Sequence, residues 1–257
     1  MLQTNSTQYQ VRDNCTNEEW QARLDLACAY RLFYQLGWHA LIFNHITLRV
    51  PGPDRHFLIN PFGLMYREVT ASNLIKVDLD GNLIEPSPWP LFEPGFVVHS
   101  GIHRHSDDVH CVMHTHTDAG VAVSCLAEGL LPLDSTSLRF VQRVAYHDFE
   151  GLTVDRAESD RMAEALGDKQ VMFLRNHGVI ACGTSVAHAF ENLYLLEMAC
   201  CAQVTAQASG ARLLLQSNEM MEKVTRQKET HPAEDNSGVL WEAMRRWMRD
   251  IDPSFES

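Results

Sequence analysis

The hydrophobic positions of this chain change along its length between helical spacing and strand-like runs. From Asn17 to Gly37, apolar residues recur every three or four positions, which predicts an amphipathic helix. Helical spacing returns at 96–105, 117–126, 157–166, 185–208 and 215–230, and in a tail at 239–251. Short apolar runs predict strands at 46–50, 56–60, 74–77, 109–116, 144–149, 171–174 and 179–182.

The order of these elements indicates the fold class. Helices and strands mix without strict β-α-β alternation, and the turn Asp80-Gly81-Asn82 predicts a hairpin. We therefore expect a three-layer α/β/α domain with a mixed, largely antiparallel central sheet. The domain is predicted over 17–230, between a flexible N-terminal arm at 1–16 and a C-terminal amphipathic tail at 231–257. The apolar stripe of the tail, which includes Trp241 and Met248, predicts a subunit contact.

Composition excludes several classes of function. Hydrophobic residues make up 45% of the 257 positions and charged residues 21%, as in ordinary globular proteins. A net charge of −12 argues against nucleic acid and anionic membranes as partners. No apolar run approaches the roughly 20 residues of a membrane span, and residues 1–14 show no secretory signal pattern. The seven cysteines form no C-x-x-C pair and lie mostly in apolar segments, which favours reduced thiols and a cytoplasmic location.

Three histidines are candidates for a metal site. His114 and His116 are separated by one residue at the end of a predicted strand, so both imidazoles point to one face. His177 follows another strand and precedes Gly178. Three neutral imidazoles suit Zn²⁺, Fe²⁺, Mn²⁺ or Co²⁺ and leave coordination positions for water or substrate. The alternative is that these histidines are exposed or hydrogen-bonded, as many of the 13 histidines must be.

Several segments resemble the class II aldolase/adducin family in order and spacing, from about residue 20 to 210. The resemblance implies an α/β/α fold, usually a homotetramer with active sites between subunits, and a divalent ion held by His114, His116 and His177. Zn²⁺ is the first expectation, with a small molecule as substrate. The matching segments are 44–49 (NHITLR), 60–63 (NPFG), 69–72 (VTAS), 99–102 (HSGI), 112–117 (VMHTHT), 145–149 (AYHDF) and 174–178 (LRNHG).

Departures from the family pattern bear on the substrate. The resemblance places a glutamate of the sugar-phosphate aldolases where this chain has Gly95, with Glu93 two residues away. Their phosphate-binding motifs are replaced by 44–47 (NHIT) and by Glu93-Pro94, whose charge would repel a phosphate. A non-phosphorylated substrate is therefore expected. The pattern is closer to adducin head domains and aromatic-acid decarboxylases, but the lysine-rich adducin tail is missing, so actin or spectrin binding is not expected.

Other polar residues are candidates for catalysis or binding. Tyr146, His99 and Glu93 are candidate acid/base residues, with core packing as the alternative for Tyr146 and a structural role for His99. Arg49 and Arg175 are candidates to bind a substrate carboxylate, or else surface ion pairs.

The resulting hypothesis is a metal-dependent carbon–carbon lyase for a small oxo- or hydroxy-acid, acting by aldol cleavage or decarboxylation. A non-haem Fe(II) oxygenase of the same fold and a non-enzymatic adducin-like scaffold are the alternatives.

Overall fold

The computed structural model describes residues 11–151, 155–230 and 236–257, without the side chains of 228–230. Its first long helix, α1 (Asn17–Leu36), begins and ends at capping residues. The Thr16 side chain accepts a hydrogen bond from the backbone N–H of Glu19 at 3.1 Å, and Gly37 closes the helix with a φ of 76°. Both helix ends therefore lie where the sequence predicts them.

The central sheet is mixed and largely antiparallel, as predicted. The described part of the chain has seven strands: β1 (His45–Arg49), β2 (Phe57–Ile59), β3 (Ile75–Val77), β4 (Cys111–Thr115), β5 (Val144–His147), β6 (Val171–Leu174) and β7 (Gly178–Gly183). Their order in the sheet is β3-β2-β1-β4-β7-β6-β5, and β5 and β6 form its parallel pair.

Helices cover both faces of this sheet, which confirms the three-layer architecture. Besides α1, the described helices are α2 (Glu93–His105), α3 (Asp118–Ser124), α4 (Arg156–Leu166), α5 (Val186–Ala208), α6 (Asn218–Thr230) and α7 (Ser237–Ile251). On one face α2 packs against α4, and buried side chains such as Ile102 and Met162 meet Val112 and Ile180 of the sheet. On the other face α1, α5 and α7 enclose the larger core.

The hairpin predicted at Asp80-Gly81-Asn82 is reduced to one isolated bridge between Val77 and Leu83. The cause is local. The Asp78 carboxylate accepts the backbone N–H groups of Asp80 and Asn82, at 2.8 and 2.9 Å. These side-chain bonds take up donors that a longer ladder would need.

The two predicted terminal segments differ in what the structure describes. Residues 1–10 of the predicted arm lie outside the described part, and Val11–Asn14 form a 3₁₀-helix. In the predicted tail, Trp241 and Met248 are buried in the core with α1 and α5. These two apolar residues of α7 therefore pack against their own chain and are not available for the predicted subunit contact. Among the described helices, none combines the length and apolar character needed to cross a membrane.

Candidate metal centre

His114 is held by strands on both sides of β4. It pairs with His45 of β1 and with Ile180 of β7, and it is 1% exposed. Its Nδ1 lies 2.9 Å from the backbone oxygen of Val179. Since a carbonyl only accepts, Nδ1 carries the proton and Nε2 of the neutral ring keeps its lone pair. A histidine oriented in this way is ready to bind a metal through Nε2.

His116 and His177 are positioned by the loops that follow β4 and β6. The backbone N–H of His116 donates to the side-chain oxygen of Asn44 at 3.2 Å. Asn176 adopts a φ of 57°, and the N–H of His177 donates to Leu174 at 3.1 Å. The chain thus turns sharply between β6 and β7 and brings His177 to the end of β4.

The three rings converge. One nitrogen from each of His114, His116 and His177 lies within 4.8 Å of the others, and the Nε2 atoms of His114 and His116 are 2.7 Å apart. Gly178 permits this approach. A Cβ there would lie 2.4 Å from the Thr115 carbonyl oxygen and 2.9 Å from Cδ2 of His116. A side chain at 178 would therefore push the rings apart.

The donor set fits a divalent cation. Because Nε2 of His114 is bare, its short contact with Nε2 of His116 requires either a proton on His116 or a cation that both nitrogens face. Three imidazoles without a carboxylate suit the borderline divalent metals and leave positions open for other ligands.

The electrostatics favour the neutral rings that bind metals. Burial, with repulsion from the neighbouring histidines, holds the pKa of His114 well below its ordinary value. Burial lowers the pKa of His116 to about 4 and also lowers that of His177. At neutral pH these three rings therefore need not lose a proton to bind a cation.

The same shifts predict an acid-sensitive fold for the metal-free protein. An unfolded histidine has a pKa of about 6.5, whereas burial lowers the pKa of His116 in the folded chain to about 4. Between these values the unfolded chain binds more protons, so the free energy of unfolding falls as the pH is lowered through this window. Urea unfolding at a series of pH values measures how steeply the free energy of unfolding depends on pH. In His116→Gln this slope should fall by an amount that corresponds to roughly one proton. An unchanged slope in that variant would contradict the assignment.

The predicted acid/base residues lie in three different surroundings. His99 is 0% exposed and lies between His45 and Thr47, at hydrogen-bond distances of 2.9 and 2.8 Å. The Tyr146 hydroxyl accepts the N–H of Leu130 at 3.0 Å. Glu93 begins α2 and lines a separate cavity of about 250 Å³ with Arg156. The described residues lining that cavity do not include the three histidines. Catalytic roles for these residues remain predictions.

The two predicted substrate arginines are engaged with backbone oxygens. Arg49, at the opposite end of β1 from His45, donates to His103 and Ser106, both at 3.0 Å. Arg175 donates to Leu126 at 2.5 Å, and it lines a shallow cavity of about 500 Å³ that also includes Phe149. The Phe149 ring lies 6.4 Å from that of His177. Arg175 therefore shares a cavity with Phe149, whose ring approaches His177, but the described lining of that cavity does not include the three histidines. Arg49 lies farther along the sheet. Their carboxylate-binding roles also remain predictions.

Sequence reasoning did not single out two polar residues of β1 as part of the site. His45 and Thr47 lie on the sheet face that carries His114, and both are buried. Side chains alternate along a strand, so residues two positions apart lie on one face. That spacing is the sequence feature that indicates a common location for His45 and Thr47. Which helix covers that face was not visible in the sequence.

Comparisons with known proteins agree with this fold. Residues 24–204 match the family of the Class II Aldolase and Adducin N-terminal domain. A crystal structure of an aldolase II superfamily protein from Pseudomonas syringae is 42% identical, with a TM-score of 0.91, covering 97% of this chain and 100% of that one. L-fuculose 1-phosphate aldolase from Glaciozyma antarctica is 25% identical, with a TM-score of 0.80, over 93% of both chains.

A mammalian protein is also among the relatives. Alpha-adducin of Rattus norvegicus is 45% identical over 191 residues, which are 73% of this chain and 26% of that protein. The match therefore concerns one part of a much longer protein. Since the matched family segment spans most of this chain and contains all three converging histidines, the chain belongs to the class II aldolase/adducin family.

Proposed function

We propose that this protein is a divalent-metal-dependent carbon–carbon lyase for a small, non-phosphorylated oxo- or hydroxy-acid, acting by aldol cleavage or decarboxylation. The convergence of His114, His116 and His177 carries the proposal. Its likeness to L-fuculose 1-phosphate aldolase supports the reaction type. We propose Zn²⁺ as the ion and a homotetramer as the assembly.

The histidines would hold the ion through neutral nitrogens, His114 through Nε2 because Val179 occupies its Nδ1 proton. A bound divalent cation would polarise a substrate oxygen and stabilise the negative charge that develops as a carbon–carbon bond breaks. Arg175 lines a cavity together with Phe149 and would bind the carboxylate of the acid there. Phe149, 57% exposed, would cover the apolar part of a ligand at this edge.

The proposal of a substrate without phosphate rests on Asn44 and Glu93. The Asn44 amide donates one N–H to the Trp38 carbonyl at 2.5 Å, and its oxygen accepts the N–H of His116 at 3.2 Å. Asn44 thus supports the loop that carries His116. Glu93 adds a negative charge in the motif where the aldolases carry phosphate ligands.

Metal analysis and a product assay test the proposal. The purified protein should contain a divalent metal, and it should release an aldehyde or CO₂ from a panel of small hydroxy- and oxo-acids. Activity should disappear on chelation and return with Zn²⁺. A variant with alanine at His114, His116 and His177 should be inactive, while His188→Ala, at a half-buried position in the first turn of α5, should behave as wild type. Turnover in the triple variant would remove the proposal.

A non-enzymatic scaffold is the second candidate, because the similarity to alpha-adducin is as high as that to the aldolase II structure. It predicts a folded protein that lacks turnover on the whole panel, with or without added metal. Oxygen uptake in the same assays with Fe²⁺ would instead favour the oxygenase reaction.

A further inference from the structure

A fourth histidine stands beside the three that converge. His45 on β1 faces His114 across the sheet, with ring centroids 4.9 Å apart. It is 4% exposed, and His116 and His177 are close enough to contribute to lowering its pKa. His45 therefore belongs to the same group of rings, although it is not among the three whose nitrogens meet.

The ring of His45 fills the space that a side chain at position 95 would need. Gly95 is the third residue of α2, and a Cβ built on it would lie 2.5 Å from Cδ2 and 2.8 Å from Nε2 of His45. Atoms do not approach so closely without displacement. This placement of His45 therefore requires glycine at 95, and an imidazole stands where the neighbouring helix would otherwise direct a side chain.

A chain of buried hydrogen bonds connects His45 to the backbone. His103 Nδ1 lies 3.2 Å from the Val109 carbonyl oxygen, and His103 Nε2 lies 2.7 Å from the Thr47 hydroxyl. The same hydroxyl lies 2.8 Å from Nδ1 of His99. Nε2 of His99 lies 2.9 Å from Nδ1 of His45. The four side chains of this relay (His103, Thr47, His99 and His45) are at most 4% exposed.

The Val109 carbonyl at one end of the relay determines which nitrogen of each imidazole carries the proton. Val109 can only accept, so His103 donates from Nδ1 and accepts the Thr47 hydroxyl proton at Nε2. The Thr47 oxygen then accepts from Nδ1 of His99, and Nε2 of His99 accepts from Nδ1 of His45. Burial keeps these rings neutral, with the pKa of His103 at about 3. His45 is left with a bare Nε2, for which the described residues provide no partner.

From this geometry we infer that His45 is a substrate-binding residue whose Nε2 accepts a hydrogen bond from a hydroxyl group of the bound ligand. The inference rests on the proposed function for the location of the ligand and narrows its substrate class to hydroxy-acids. The relay acts as a positioning device, because it removes the alternative tautomer in which Nε2 would be a donor.

The tautomer can be measured on metal-free protein, without any ligand. Nitrogen-15 NMR of the histidine side chains distinguishes a protonated from a bare ring nitrogen. His45, His99 and His103 are expected to carry the proton on Nδ1, and Thr47→Val should convert His99 to a mixture of tautomers. A proton on Nε2 of His45 in the wild type would overturn the inference, whether or not the protein binds metal.

Packing between His45 and Gly95 gives a second test that needs no metal. Gly95→Ala should lower the Tm in the wild-type background and have little effect in a His45→Ala background. Gly238→Ala is the matched control, since Gly238 also lies near a helix start but has no atom within 4 Å of its Cβ position. Equal losses from Gly95→Ala in both backgrounds would overturn the placement of His45.

Ligand preference tests the hydrogen bond itself. Glycolate and acetate differ by one hydroxyl group, and each can be titrated into Zn²⁺-loaded protein. His45→Leu should weaken the binding of glycolate by about three- to tenfold, the usual effect of one hydrogen bond. The affinity for acetate should stay unchanged. An unchanged preference for glycolate would overturn the binding role of His45. A wild-type protein that takes up no metal would overturn the proposed function instead, while the tautomer measurement still decides the state of His45.

Discussion

Replacing His114 with alanine is expected to weaken Zn²⁺ binding by at least about 100-fold, more than the loss of a supporting hydrogen bond usually costs. His114 is the most buried of the three candidate ligands, and the Val179 carbonyl on β7 determines its orientation. Without it, His116 and His177 provide two nitrogens, fewer than the three protein ligands of ordinary catalytic zinc sites. Competition with a chromophoric chelator measures the affinity directly.

The control for this experiment is a histidine outside the centre. His188 lies in the first turn of α5, and its side chain approaches Thr184 and Gln170 at the protein surface. His188→Ala should therefore leave the Zn²⁺ affinity unchanged. Equal affinity for wild type and His114→Ala would show that the ion binds elsewhere, and the metal assignment would fail.

Replacing Arg23 with methionine is expected to lower the free energy of unfolding by about 3–5 kcal/mol, the usual cost of breaking a buried ion pair. Arg23 lies in α1 and is 0% exposed. Its guanidinium pairs with Glu85 and with Glu19, at 2.9 Å for the latter, and donates to the Leu74 carbonyl at 3.0 Å. Methionine would leave Glu19 and Glu85 without this guanidinium, while Lys76 would still pair with Glu19.

An exposed ion pair provides the comparison. Arg161 pairs with Glu150, but its side chain is 47% exposed, so water already screens the charges. Arg161→Met should therefore change the denaturation midpoint very little. Urea unfolding of both variants gives the two values, and similar midpoints for wild type and Arg23→Met would mean that the buried network contributes no net stability.

Local patterns were sufficient to predict much of the fold and to single out the three histidines that converge. The spacing around α1 predicted its ends because the Thr16 cap and Gly37 act within one helical turn. His114 and His116 were recognisable because alternation places both on one strand face, and His177 because a strand end and a glycine frame it. The hairpin after β3 is shorter than predicted, because the Asp78 carboxylate accepts the backbone N–H groups of Asp80 and Asn82.

The amino-acid sequence by itself determined the order of the elements, the sheet faces and the three histidines, since each depends on neighbours a few positions away. Only the tertiary structure decided that α2 lies over β1, where Gly95 admits the ring of His45. It also decided that Arg23, a charged residue in α1, is buried against Glu85, 62 positions along the chain. Contacts between such distant residues follow from how whole layers pack, and no local period of hydrophobic positions encodes them.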